Sequence, residues 1–178
     1  IPDANQLARH YAEVTSGISS GRKYITNKAL NINLQLGLFY CITPRMKVIS
    51  LHRHPLDNCI SCYLNLVGVP GHNYNKRQDD QAKVWILRRR LQDHWAEVAE
   101  ELPMLQLSYE SMVHNQEDET KRILKFFDLG FQNDCLNFHE ASNIAATVSK
   151  DQVREPMYKT SAGRWKNYEP FIPILVEK

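Results

Sequence analysis

The stretch Lys47-Val-Ile-Ser-Leu51, followed at once by Arg53-His54-Pro55, constrains this chain more than any other feature. Five residues rich in β-branched side chains are too short for a helix and read as a buried parallel strand. The polar turn ends that strand. Proline lacks a backbone N–H and has its φ preset near the helical value, so Pro55 suits the first turn of a following helix that would carry Asp57 to Leu66. A strand, a polar turn and a helix in that order make the repeating unit of an α/β layer, whose ligands sit beyond the carboxyl ends of the strands.

The flanking segments fit such a layer. Leu7, Tyr11 and Val14 recur at helical spacing behind Asp3, so the chain opens with an amphipathic helix to about Ser16, stopped by Gly17 and Gly21. A short extended piece, Arg22 to Thr26, leads into Asn27-Lys28. The run Asn31 to Ile42 reads as a buried helix ended by Thr43-Pro44. Val67 to Asp80 carries Gly68, Pro70 and Gly71 and is expected to be a loop over a site. Val84, Leu87, Leu91, Trp95, Val98 and Leu102 then form one apolar stripe of a long helix, with Arg88-Arg89-Arg90 on a solvated face beside it. Met104 to Ser108 is a second strand, and Glu117 to Leu129 a helix closed by Gly130. Strands alternating with helices predict an α/β fold with a mostly parallel sheet.

Composition narrows the function. With 178 residues and 43% hydrophobic content the chain can bury one sizeable core, so residues 1–178 are expected to form a single domain. A formal charge of +2, from 22 Lys and Arg against 20 Asp and Glu, gives no global field that selects nucleic acid or an anionic membrane; neither is expected as a partner. No apolar run is long enough to span a bilayer. The first residues, Ile1-Pro2-Asp3, lack an initiator Met and the plan of a secretory signal, so the chain reads as an excerpt of a longer protein. Cys41, Cys59, Cys62 and Cys135 are too few for a disulfide scaffold and point to a reducing compartment. Cys59-Ile-Ser-Cys62 matches a thiol redox or half-zinc pattern, but no second ligand pair completes a metal site, and no metal is expected.

The chemistry concentrates after the first strand. Arg53 offers a planar fork of donors, Ser61 lies eight residues on, about two helical turns along, and the helix start adds backbone amides with a favourable dipole. Together they would hold one phosphate group. The alternative is that Arg53 pairs with Asp57 at the helix start, and the residues alone leave both open.

The stretch Lys47 to Ser61 resembles the 3′-phosphate-binding strand-turn-helix of sulfotransferases that use 3′-phosphoadenosine-5′-phosphosulfate (PAPS), with Arg53-His54-Pro55 where Arg-Asp-Pro is usual. Asn27-Lys28, Tyr109-Glu110, Ser149 to Tyr158 and Ser161-Ala-Gly-Arg-Trp-Lys-Asn-Tyr168 follow in family order, so the resemblance runs from Ile25 to Pro173. It is greatest to bacterial sulfotransferases that often carry tetratricopeptide repeats, and more distant to protein-tyrosine sulfotransferases. The resemblance implies a three-layer, P-loop-NTPase-like α/β fold with its N-terminal part missing, and sulfuryl transfer to a hydroxyl or amine. It further implies Lys28 and Ser149 as catalytic residues. Arg53, Ser61, Tyr109, Gln152, Arg154 and Arg164 would bind the donor, which is the co-substrate; the acceptor would be a small molecule, a glycan or a protein tyrosine.

The departures matter as much. Nothing before Ile25 matches the family's 5′-phosphosulfate loop, and the acceptor-activating Glu or His of relatives comes from that same region. Asn65 stands where tyrosine-sulfating relatives have another Arg, and their secretory-pathway cysteine positions are not cysteines here, which favours a cytoplasmic protein. Two rival classes remain. A P-loop kinase or NTPase would share the layer, but no G-x-x-x-x-G-K-[ST] occurs. A non-catalytic interaction module would keep the fold without the donor loop.

Overall fold

The structure is a computed structural model that describes residues 3–19, 21–29, 31–66, 70–98, 102–140 and 155–177. They fall into two compact units, Ile1–Val48 with Arg88–Met104, and Ile49–Leu87 with Leu105–Lys178.

In the first unit α1 spans Ala4–Ser19, and Asp3 caps it by accepting the Gln6 N–H at 2.7 Å. Tyr11 meets Phe39 edge-on at 5.5 Å between centroids, packing α1 on α2, Leu36–Ile42. The expected single buried helix from Asn31 is instead a 3₁₀ turn, Ile32–Gln35, ahead of α2, and of its residues Leu36 alone is buried. Trp95 accounts for the break. Its indole N–H donates to the Asn33 carbonyl at 2.8 Å, competing for the acceptor that a continuous α-helix uses four residues on. Its ring also lies so close to Gly37 that a Cβ there would fall 2.7 Å from a ring carbon.

The long helix α4 runs Gln78–Val98, beginning inside the expected loop. Of the expected stripe, Val84, Leu91 and Trp95 are half-buried and Leu102 is buried, while Leu87 is exposed; Gln81 and Ala82 are buried positions that spacing did not assign. A buried amide anchors the start of α4: Gln81 Nε2 donates to the Cys59 carbonyl at 2.9 Å and to Asn75 Oδ1 at 3.3 Å. The arginine run is not a bare solvated face either, since Arg88 donates to Asn31 Oδ1 at 2.7 Å and Arg89 pairs with Asp93 at 3.0 Å.

In the second unit lie most of strand β1, Val48–His52, and strand β2, Met104–Ser108, which form a two-stranded sheet. The Val48 N–H donates to the Pro103 carbonyl at 2.8 Å, so start meets start and the pair is parallel. Burial alternates along β1, and Ile49 and Leu51 are exposed, so the strand is not buried on both faces among the described residues. Helix α3, Pro55–Leu66, begins at Pro55 as its turn chemistry requires. Ser108 caps α5, Tyr109–His114, by accepting the Ser111 N–H at 3.3 Å. Helix α6, Gln116–Phe126, stops before Gly130. There Asp128 takes the left-handed position (φ 57°), with Leu129 N–H bonded to the Leu124 carbonyl and Asp128 N–H to that of Lys125, a Schellman closure.

The core of this unit is Cys59, Ile60, Ala82, Ile172 and Leu175, with Trp85, Trp165 and Tyr168 packed against it. Burying such apolar surface drives the association of α3, α4 and the C-terminal α7, Pro173–Val176. A polar tether completes the packing. The Asp57 carboxylate, 1% exposed, accepts the Gly163 N–H at 2.7 Å and the Trp165 N–H at 2.8 Å at the start of the 3₁₀ helix Arg164–Phe171. Gly163 has φ 74° with open space where a Cβ would stand, so glycine serves a positive-φ turn rather than a close approach.

Asp57→Ala would strand two amides and remove this cap. Unfolding by urea is expected to show a loss of about 2–4 kcal/mol, with Asp57→Asn losing roughly half as much. A loss within about 0.5 kcal/mol of zero would show that the tether is not a stabilising contact.

Candidate functional site

The end of β1, the first turns of α3, the start of α5 and the segment 155–164 enclose a cavity of about 630 Å³, inside the range of small-molecule sites. Arg53, Ser61, Tyr109, Tyr158 and Arg164 line it. All belong to the second unit.

Arg53 is held on two sides. Its Nη2 donates to the Ser161 carbonyl at 2.7 Å, and its guanidinium carbon lies 4.5 Å from the centroid of the Tyr109 ring, a cation–π contact. The Nε is buried, and among the described residues it has no hydrogen-bond partner. A buried guanidinium N–H left unpaired is costly, and an anionic oxygen is the partner that best satisfies it. Ser61, half-buried on α3, accepts weakly from Asn65 Nδ2 at 3.5 Å, and no bond donated by its hydroxyl is found among the described residues. Arg53 and Ser61 therefore present donors to one cavity. Asp57 is committed to the 163 and 165 amides, and among the described residues no ion pair joins it to Arg53.

The helix start contributes less than spacing implied. The His54 N–H, which the turn would have offered to an anion, already donates to Glu110 Oε1 at 2.9 Å, and Pro55 has no N–H. Glu110 also accepts the Ser108 hydroxyl at 2.8 Å through its other oxygen. Burial by itself would push the Glu110 carboxyl up, but the His54 amide, the Ser108 hydroxyl, its own backbone and the Arg53 guanidinium together hold it below the usual carboxylate value. The His54 ring stacks on Trp165, 5.3 Å between centroids and 5° apart in plane, joining the turn to the 3₁₀ helix that follows Gly163.

The remaining expected residues distribute unevenly. Arg164 is exposed and lines the same cavity, with Glu155 placing one acid on its wall. Lys28 is exposed in the first unit. Ser149, Gln152 and Arg154 lie outside the described residues. Three groups that sequence reasoning did not assign also shape the site: the Asp57 carboxylate, the Glu110 carboxylate and the Ser161 carbonyl. Asp57 had a readable signal, since it shares a helical face with Ile60 and so falls on the buried side of α3. Glu110 had none, because its partners lie at residues 54 and 108 on other elements.

The cysteine pair fits redox chemistry poorly. Neither thiol is in a disulfide, and burial first, with Cys62 beside it second, pushes Cys59 up to about 12, so its thiolate is scarce at neutral pH. Among the described residues no group of His, Cys, Asp and Glu could hold a metal ion, and no helix is long and apolar enough to cross a membrane.

The cavity lies at the carboxyl end of a parallel strand pair, where α/β proteins place their ligands. Residues 3–133 match the profile of the Sulfotransferase family, about three quarters of the chain, and the chain belongs to that family. It is also similar to an uncharacterized protein of Aquifex aeolicus (strain VF5), 24% identical over 181 residues. That alignment covers 96% of this chain and 22% of the relative, so the chain spans about a fifth of the length of this curated relative.

Because the Glu110 carboxyl is held low in the folded state, its stabilising contribution is complete above its unfolded value and drains away as pH falls from about 4.5 through the folded value. Wild-type protein is expected to lose stability across that acid window more steeply than Glu110→Gln. Parallel acid-unfolding curves for the two would show that the carboxylate does not titrate against its partners.

Proposed function

We propose that this chain is the C-terminal portion of a PAPS-dependent sulfotransferase domain, the portion that holds the 3′-phosphate of the donor. Family membership supports sulfuryl transfer in general, and one observation carries the finer reading. Arg53, whose buried Nε has no partner among the described residues, and Ser61, whose hydroxyl donates no bond among them, line one cavity. A ribose-linked phosphate supplies the acceptors that both lack. Tyr109 and Tyr158 line the same cavity, and their rings suit the aromatic face of an adenine. The donor brings an activated sulfuryl group for transfer to a hydroxyl or amine; the part of this cavity is to grip and orient it.

Within this reading the larger domain has the three-layer, P-loop-NTPase-like architecture, and the chain is akin to the tetratricopeptide-associated bacterial enzymes, with the tyrosine-sulfating enzymes as distant relatives. The acceptor is a small molecule, a glycan or a protein tyrosine. Lys28 neutralises charge on the departing phosphate oxygen, with Ser149 in support, while Gln152, Arg154 and Arg164 contact the donor. Such charge stabilisation is the largest protein contribution in transfers of this kind.

Arg53→Ala is expected to weaken binding of 3′-phosphoadenosine-5′-phosphate by about 10–100-fold, and Ser61→Ala by about threefold to tenfold. Binding of adenosine 5′-phosphate should change by less than about threefold, as read by calorimetry. Equal losses for the two nucleotides would overturn the assignment, and a requirement for Mg²⁺ with ATP would favour a kinase. In the full-length enzyme, Lys28→Ala should lower turnover by about 10²–10³ with donor affinity nearly intact; unchanged turnover removes its catalytic role.

A further inference from the structure

A second cavity, of about 300 Å³, lies in the same unit beside the turn Asn73–Lys76, the start of α4 and the segment Tyr168–Leu175. It meets the larger cavity at Ile60 and Leu64 of α3 and has otherwise its own lining. A volume at the lower end of small-molecule sites leaves room for a single ring and a few further atoms.

The lining joins aromatic surface to one charge. Tyr63, Tyr168 and Phe171 all contribute to it, and Tyr63 and Phe171 stay 53% and 73% exposed instead of packing into the core. Two large rings left in water around one cavity offer apolar area that a flat ligand can cover. Among the described residues Lys76 is the only charged side chain in the lining, and no carboxylate lies within ion-pair distance of it. The nearby acid Asp80 is engaged elsewhere, with Arg77 at 3.7 Å and Lys83 at 3.9 Å.

That combination selects chemistry. A cationic ring would be repelled by the Lys76 ammonium, and an uncharged ring gains no Coulomb attraction from it. A small hydrated anion such as inorganic phosphate has no apolar area to set against the rings, and it finds guanidinium donors in the larger cavity instead. A flat ring carrying one negative charge answers both features. We infer that this cavity is a binding site for a small aromatic monoanion, such as an aromatic carboxylate, with its ring against Tyr63 and Phe171 and its charge toward Lys76. The site does not depend on the donor reading.

The test is a titration of the ¹⁵N-labelled full chain with benzoate, benzamide, benzylammonium and acetate, following the backbone amides of Lys76, Tyr168 and Phe171. Benzoate is expected to saturate with shifts at all three. Benzamide should bind about threefold to fivefold more weakly, the range that one exposed ion pair supplies, and benzylammonium and acetate more weakly still. Lys76→Gln should bring benzoate down to the level of benzamide, while Phe171→Ala should weaken both compounds alike; both side chains are exposed, so neither change disturbs the core. Arg53→Ala should leave benzoate binding unchanged, whatever becomes of nucleotide binding. The inference is overturned by the absence of saturable shifts up to about 50 mM benzoate, by equal affinity for benzoate and benzamide, or by loss of benzoate binding in Arg53→Ala but not in Lys76→Gln.

Discussion

The bond pair from the Asp57 carboxylate to the amides of Gly163 and Trp165 is the constraint on which the site depends. A carboxylate with almost no exposure must have its charge met by donors, and two backbone amides at the start of a 3₁₀ helix meet it with both hydrogen bonding and the terminal dipole. Because Asp57 sits in the first turn of α3, this link fixes the 161–165 turn against the same helix that carries Ser61. The Ser161 carbonyl then falls where Arg53 can donate to it. One polar tether, more than a hundred residues apart in sequence, thereby sets the opposite walls of the larger cavity.

Arg53 is positioned from several directions by groups of different kinds. Ser161 takes one end of its fork, the Tyr109 ring covers its face, and Glu110 supplies an opposing charge while holding the adjacent His54 amide. A long side chain loses much rotamer freedom when fixed, and here that cost is met before any ligand arrives. The consequence is that binding of an anion would not have to order the guanidinium. The cost is a buried Nε without a partner, a debt to satisfaction that ordinary cores avoid.

Much of the local structure was legible. Strand β1 and the helix beginning at Pro55 fall where β-branched content and proline chemistry place them, to within one residue for the strand, and Asp3 caps α1 as a side-chain acceptor should. The misreadings share a cause. The break before α2 comes from Trp95, sixty residues away, reaching a carbonyl that spacing assigns to the helix itself. At the start of α4 Gln81, bonded to Cys59 and Asn75, is buried, so a polar residue that spacing did not assign turns inward there while Leu87 is left exposed. The closure of α6 at Asp128 in place of Gly130 shows that an aspartate can take the left-handed position when the Schellman bonds offset its strain.

For the site itself, the sequence alone determined the kinds of donor available, a guanidinium at 53 and a hydroxyl at 61 two helical turns on, because side-chain chemistry and helical rise are local properties. Tertiary structure alone decided that Asp57 would serve the Gly163 turn and not Arg53, and that Glu110 would take the His54 amide. Several partners lie within reach of each of these groups in the unfolded chain, and which one wins depends on which segments the packed core brings together.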